Sequence, residues 1–301
     1  MIKTEHVTKK FGDFRAVSDL SCEIPKGCIY GLIGSNGAGK STLLRLATGV
    51  YQADAGEVTL DGEAIFENPA IKGRIAYVPD ELYFLPAASM KRMAALYRSI
   101  FPNFDNFRFS ELTSLFKLNP KANLNTFSKG MRRQAATILA LCCKPDYIFF
   151  DETFDGLDPV MRNLVKNLIT EDVLERDTTV IITSHSLREL EDTCDQLALL
   201  HEGGIVFESD VQNLKTSLFK IQIAFLEPYS REMFSELDLL NYSQRGSVAN
   251  FIVRGDRETT RSLLEAKSPV LLDILPLSLE EVFLHEMQAI GYAFDSILGE
   301  E

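Results

Sequence analysis

Three groups of side chains in this sequence could act together on a chain of phosphates. The first is Gly34-Ser35-Asn36-Gly37-Ala38-Gly39-Lys40-Ser41-Thr42, which fits the phosphate-loop pattern G-x-x-x-x-G-K-[ST]. Its glycines let the backbone turn tightly, so that successive N–H groups point at one anion. Lys40 can reach the outer phosphates, and the Ser41 hydroxyl can hold a Mg²⁺ ion between them. The second group is Asp151-Glu152, directly after the apolar run Tyr147-Ile148-Phe149-Phe150. Asp151 suits Mg²⁺ held through water, and Glu152 can polarise an attacking water. A strand that ends in a solvated acid is common, and what gives this one weight is its place downstream of a phosphate loop. The third is His185, at the end of the β-branched run Thr179-Val180-Ile181-Ile182-Thr183. A neutral imidazole there can hydrogen-bond a γ-phosphate and orient water, although a lone histidine at a strand end is more often structural.

Weaker candidates surround these. Ser128 and Gly130 lie in Thr126-Phe127-Ser128-Lys129-Gly130-Met131, ahead of the apolar run Ala135–Cys143. Ser128 reads as a helix cap, and a helix amino end with Ser and Gly is also a second anion site. Phe11, in Thr8-Lys9-Lys10-Phe11-Gly12, can stack on an adenine ring or plug the core. Asp80 and Glu81 follow the strand Arg74–Val78 in a polar loop that faces the nucleotide if the sheet orders as expected.

The elements that must position these groups are legible from pattern. Ile29–Ile33 reads as a buried strand ahead of the phosphate loop, and Leu43–Ala47 as the helix after it, whose amino end adds partial positive charge. Residues 1–28 suggest two short strands. Glu57–Leu60 reads as a hairpin strand between glycine turns, and Gln196–Phe207 as another hairpin around Gly203-Gly204. Residues 89–118 are mostly helical, with a break at Phe101-Pro102-Asn103. The tail suggests strand Phe219–Phe225, helix Tyr229–Leu239, strands Tyr242–Arg245 and Ala249–Arg254, helix Thr259–Ala266 and strand Val270–Leu275, the βαββαβ order of a ferredoxin-like fold. Ser278 to Glu281 has a capping-box look ahead of a last helix.

Length and composition limit the rest. The 301 residues suffice for one large domain and a small one. A formal charge of −12 argues against a nucleic-acid surface. No stretch approaches the apolar length of a bilayer span, so direct insertion in a membrane is not expected. The opening Met1–Val7 lacks the pattern of a secretory leader. Five cysteines without metal-type spacing suit a reducing, cytoplasmic compartment.

Taken in order, these motifs make residues 1 to about 212 resemble the ATP-binding subunit of ATP-binding-cassette (ABC) transporters. The resemblance implies an α/β P-loop NTPase fold, a mixed sheet core with a helical subdomain at about 85–145, followed by a small α+β accessory domain at 213–301. Phe11 sits where that family places its adenine-stacking aromatic. Gly34 to Thr42 matches the first Walker motif and supplies ATP-binding residues Ser35 through Thr42. Tyr147 to Glu152 matches the second. Phe127-Ser128-Lys129-Gly130-Met131 matches the signature, Asp155-Gly156-Leu157-Asp158 the D-loop, and His185 the switch histidine. The implied activity is Mg²⁺-dependent ATP hydrolysis, with Lys40, Glu152 and His185 catalytic and Ser41, Asp151 and Asp80 near the metal. The implied partners are a second ABC subunit, facing this one head to tail so that Ser128 and Gly130 meet the nucleotide held by the other's Lys40, and a separate transmembrane permease. The chain would then sit peripherally on the inner face of the cell membrane.

Three positions depart from the family pattern. Asp80 stands where glutamine is usual, Lys129 replaces a signature glycine, and Met131 its glutamine. A Ser-Lys-Gly-Met signature resembles a variant of the drug, bacteriocin and antibiotic exporter branch. Export is therefore expected, with a soluble or regulatory ABC ATPase as the alternative. The tail carries eight Lys/Arg against fourteen Asp/Glu, so it is not expected to bind anionic lipid or nucleic acid.

Overall fold

The computed structural model describes residues 1–289, which form two compact units, Met1–Glu208 and Ser209 onward. In the first unit the chain runs β1 (Ile2–Phe11), β2 (Phe14–Ile24), β3 (Ile29–Ile33), α1 (Lys40–Ala47), β4 (Ala55–Leu60), β5 (Glu63–Ala64), α2 (Pro69–Lys72) and β6 (Ile75–Val78). It continues with α3 (Met90–Ile100), α4 (Asn106–Leu115), α5 (Lys129–Cys142), β7 (Tyr147–Asp151), α6 (Pro159–Arg176), β8 (Thr179–Ser184), α7 (Leu187–Leu190), β9 (Gln196–His201) and β10 (Gly204–Asp210).

Two sheets organise this unit. One has the order β10-β9-β3-β8-β7-β6, and β9, β3, β8, β7 and β6 are mutually parallel. The strands β3, β7 and β8 are buried along their whole length, as their unbroken apolar runs require when both faces of a parallel sheet are covered. The other sheet, β2-β1-β4-β5, is antiparallel. Its strands alternate buried and exposed residues in parts, with Ile2, Val7, Val17, Leu20 and Leu60 facing inward. Helix α1 contributes Leu43, Leu44 and Leu46 to the shared core, where each buried leucine is worth ~2 kcal/mol over an exposed one. The first two strands are ten and eleven residues long, not short, because exposed lysines and acids on the outward face do not interrupt the ladder.

Register decides function here. Ile33 lies beside Ser184, Asp151 beside Thr183, and Val78 beside Phe150. The carboxyl ends of four neighbouring strands are therefore level. The segments that leave them, the Gly34 loop, Glu152, His185 and the Pro79-Asp80 loop, emerge at one edge, where ligands collect in open α/β sheets. The helices α3 and α4 are capped by Ser89 and Asp105, whose side chains accept from the Arg92 and Arg108 backbone N–H groups.

In the second unit α8 (Val211–Ser217) precedes β11 (Leu218–Ala224), β12 (Asp238–Arg245), β13 (Val248–Arg254), α9 (Arg257–Glu265), β14 (Leu271–Pro276) and α10 (Leu279–Ala289). The sheet order is β12-β13-β11-β14, with every neighbouring pair antiparallel. The expected helix at Tyr229–Leu239 is instead one 3₁₀ turn, Arg231–Phe234. Asp238 and Leu239 pair with Arg254 and Val253, so the strand takes residues from the helix. Phe234 drops into an aromatic cluster with Phe225, Tyr229 and Phe251, which a single turn already achieves. The capping box forms: the Glu281 N–H donates to Ser278 Oγ at 3.3 Å, and the Ser278 N–H to Glu281 Oε2 at 2.9 Å.

All five cysteines are buried and unpaired. Burial pushes Cys22 and Cys28 up to about 11 and Cys142 up to about 12, against 9.0 for an ordinary thiol. The native chain should therefore react with Ellman's reagent at pH 8 far more slowly than the urea-unfolded chain. Thiols held protonated in the fold add stability that is complete below pH 9.0 and fades as pH rises towards about 11 to 12. Urea midpoints measured from pH 8 to 11 should fall over that window, and a flat profile would contradict this.

Candidate active site

The loop between β3 and α1 is built on two left-handed glycines, Gly37 at φ 83° and Gly39 at φ 108°. A Cβ at Gly39 would lie 2.3 Å from the Ala16 carbonyl oxygen, and one at Gly34 2.5 Å from that of Leu200, so neither position admits a side chain. The loop's own Ala38 carbonyl accepts from Gly203 N–H at 3.0 Å, which pins it against the turn after β9. An open cleft lies over the loop, lined by Ser35, Asn36, Gly37, Lys40, Ser41 and Thr42 among others.

Lys40 is 6% exposed and folds back onto its own loop, donating to the Gly34 carbonyl at 2.7 Å. Its Nζ is also 3.2 Å from Glu152 Oε1. The other Glu152 oxygen meets His185 Nδ1 at 3.0 Å. Glu152 thus stands between an ammonium and an imidazole, with its backbone at φ 50°, a left-handed conformation unusual for a glutamate. Its N–H donates to Thr183 Oγ1 at 3.0 Å. The structure therefore brings Lys40, Glu152 and His185 together from three strand ends.

Asp151 is fully buried, and its carboxylate is oriented from two sides. Thr183 Oγ1 donates to Oδ1 at 2.7 Å, and the Tyr77 hydroxyl to Oδ2 at 3.3 Å. Burial, and then the nearby Asp151, push the Tyr77 phenol well above its ordinary range, so it stays a donor. Ser41 and Asp151 are an oxygen donor set of the kind Mg²⁺ takes together with phosphates, since that ion is rarely caged by protein alone. Asp80 lines the cleft, but its Oδ1 is engaged by the buried Arg133 at 2.6 Å.

Ser128 and Gly130 belong elsewhere. Ser128 caps α5 by accepting from Met131 N–H at 3.2 Å, and neither residue lines the cleft over Lys40. Gly130 is packed against the turn after β7: a Cβ there would lie 2.6 Å from the Gly156 carbonyl oxygen. Phe11 closes β1 with its ring edge-on to Tyr51 at 5.5 Å, while Phe14, its partner across the Gly12-Asp13 turn, lines the cleft.

Four contributors escape sequence reasoning: Tyr77, Arg133, Thr183 and Phe14. The first and third lie in runs readable as strands, but which hydroxyl meets Asp151 depends on register. Phe14 carried the clearest signal, as a second aromatic two residues beyond the Gly12 turn.

With this geometry in view, the comparisons decide the family. Residues 17–155 match the ABC transporter family. The chain is 32% identical over 284 residues to the ABC transporter ATP-binding protein YtrB of Bacillus subtilis, spanning 94% of this chain and 97% of that one. It belongs to the ABC transporter ATP-binding proteins. It is also 29% identical to the Nod factor export ATP-binding protein I of Burkholderia lata, over 94% of this chain and 95% of that one. Among solved structures, a dimeric ATP-binding cassette in a post-hydrolysis state with ADP and Pi aligns with TM-score 0.64 and 20% identity, covering 70% of this chain and 99% of that one. This ABC subunit binds and hydrolyses ATP, and ABC subunits pair and work with transmembrane permeases.

Replacing Gly130 with Ala should force α5 off the Gly156 turn at a cost of about 1–3 kcal/mol. ATPase turnover should drop by about tenfold or more, while fluorescent-nucleotide affinity of the Lys40 cleft stays within about twofold. Equal losses of both would show that the two surfaces are not separate.

Proposed function

We propose that this chain powers an exporter, as one half of a head-to-tail pair whose second member is another copy or a near relative. The carrying observation is the separation of Ser128 and Gly130 from the cleft lined by Lys40 and by Glu152, on which His185 rests. Each half then holds one complete hydrolytic side and one phosphate-contacting helix end, and a working site needs both.

The side chains support a sequence of events. The Lys40 charge is shared by Gly34 O and Glu152. A γ-phosphate competes for that ammonium, which frees Glu152 to accept a proton from water as it attacks phosphorus. Thr183 holds the Glu152 backbone while this happens. His185, already on Glu152 and half exposed, is placed to donate to the γ-phosphate or to orient the water. The Ser128 oxygen spends a lone pair on its cap, so its O–H is available to a partner's phosphate. Ser41, and Asp151 through water, would hold Mg²⁺, which would supply charge neutralisation when bound. Loss of the γ-phosphate removes what holds the halves together.

Among the described residues no helix is long and apolar enough to cross a membrane, so we assign the span to a separate permease. An apolar groove beside the loop after β6, lined by Leu82, Tyr83, Met93, Tyr97 and Phe101, is the face we assign to it. Tyr83 there is 80% exposed, a large aromatic left in water by the isolated subunit. The location that follows is the inner face of the cell membrane. Export is supported by the Nod factor export relative and by the Ser128-Lys129-Gly130-Met131 signature. We read residues 1–212 as the cassette and 213–301 as its accessory domain, with Phe11 or its neighbour Phe14 stacking on adenine.

Glu152→Gln should bind ATP normally, lose about 10²–10⁴-fold of its turnover, and elute as a dimer with saturating ATP and Mg²⁺. A variant that stays monomeric by light scattering, or that turns over at the parental rate, would remove the sandwich or the base.

A further inference from the structure

Arg133 lies on α5 three residues past Gly130, and its side chain is 1% exposed. One terminal nitrogen meets Asp80 Oδ1 at 2.6 Å and stands 3.7 Å from Asp155 Oδ2. The other donates to the Asp151 carbonyl oxygen at 3.2 Å. Its buried Nε finds no hydrogen-bond partner. Lys129, on the same helix, donates to that same Asp155 Oδ2. A single guanidinium therefore joins the loop after β6, the end of the strand that carries Asp151, and the turn after it.

A guanidinium cannot shed its proton, and a buried one left without a counter-charge is strongly destabilised. Asp80 supplies that charge at direct contact. A glutamine in its place could accept a hydrogen bond but could not neutralise the group. The acid at position 80 and the arginine at position 133 thus belong to one device. Its strength lies in the fork, whose two terminal nitrogens hold a carboxylate and a carbonyl at separate, fixed positions, a spacing that a single ammonium nitrogen lacks.

We propose that Arg133 is a positioning residue for ATP hydrolysis, and that Asp80 acts through it and not as a metal ligand. The Asp80–Arg133 pair holds the end of β7 against the loop that borders the cleft. The helix carrying Ser128 and Gly130 is thereby linked to both. This rests on the hydrolysis common to the family, not on the exporter or pairing proposals.

The test is steady-state ATPase of the full chain across Mg²⁺ concentration for Asp80→Asn, Arg133→Lys, Arg133→Gln and the double Asp80→Asn/Arg133→Gln. Asp80 is nearly half exposed and Asn is isosteric, so that variant should melt within a few degrees of the parent. It should lose about tenfold in kcat, with KM for ATP and the Mg²⁺ half-saturation within about twofold. Arg133→Lys should fall in the same direction. The double variant should be no worse than the weaker single, because the charge stranded by Asp80→Asn is then gone. A raised Mg²⁺ requirement in Asp80→Asn would overturn the proposal in favour of metal contact. Parental kcat in Asp80→Asn, or single losses that multiply in the double, would overturn it as well.

Discussion

An ammonium at the start of α1 and two carboxylates at the end of β7 meet at one edge of a wholly buried set of strands, and their satisfaction is the constraint on which this molecule depends. A parallel sheet covered on both faces tolerates charge only where its strands stop. Lys40, Asp151 and Glu152 are therefore forced to one edge, where each must find partners. Lys40 finds a loop carbonyl and Glu152, Glu152 finds His185, and Asp151 finds Thr183 and Tyr77. Of these contacts only those of the Lys40 ammonium lie where a phosphate would compete, while Thr183 and Tyr77 stay on Asp151.

Close backbone approach and left-handed turns shape that edge. Gly37, Gly39 and Glu152 adopt left-handed φ values, and Gly34, Gly39 and Gly130 sit against carbonyl oxygens closer than any Cβ allows. The close approach of Gly130 to Gly156 links the start of α5 to the turn that follows Glu152. Arg133 adds a charged link over the same short distance. Mechanical continuity between the hydrolytic strand and the outward-facing helix end thus rests on one missing side chain and one buried one.

The accessory unit shows a different economy. Its sheet carries an aromatic cluster, Phe225, Tyr229, Phe234, Tyr242 and Phe251, packed on one face. That cluster is why a single 3₁₀ turn suffices where periodicity suggests a helix. The strand that follows begins early because pairing with β13 satisfies backbone groups that a longer helix would have satisfied itself.

The phosphate loop, the paired acids, the signature segment and the family were determined by sequence alone, because each motif is contiguous and its chemistry needs particular residues at fixed short spacing. The buried strands were legible for the same reason, as unbroken apolar runs. Tertiary structure alone decided that Thr183 and Tyr77 orient Asp151, that Arg133 claims Asp80, and that Phe14 faces the cleft. Thr183, Tyr77 and Arg133 meet partners 32, 74 and 53 positions away. Strand register and helix packing bring such pairs together, and no local pattern encodes either.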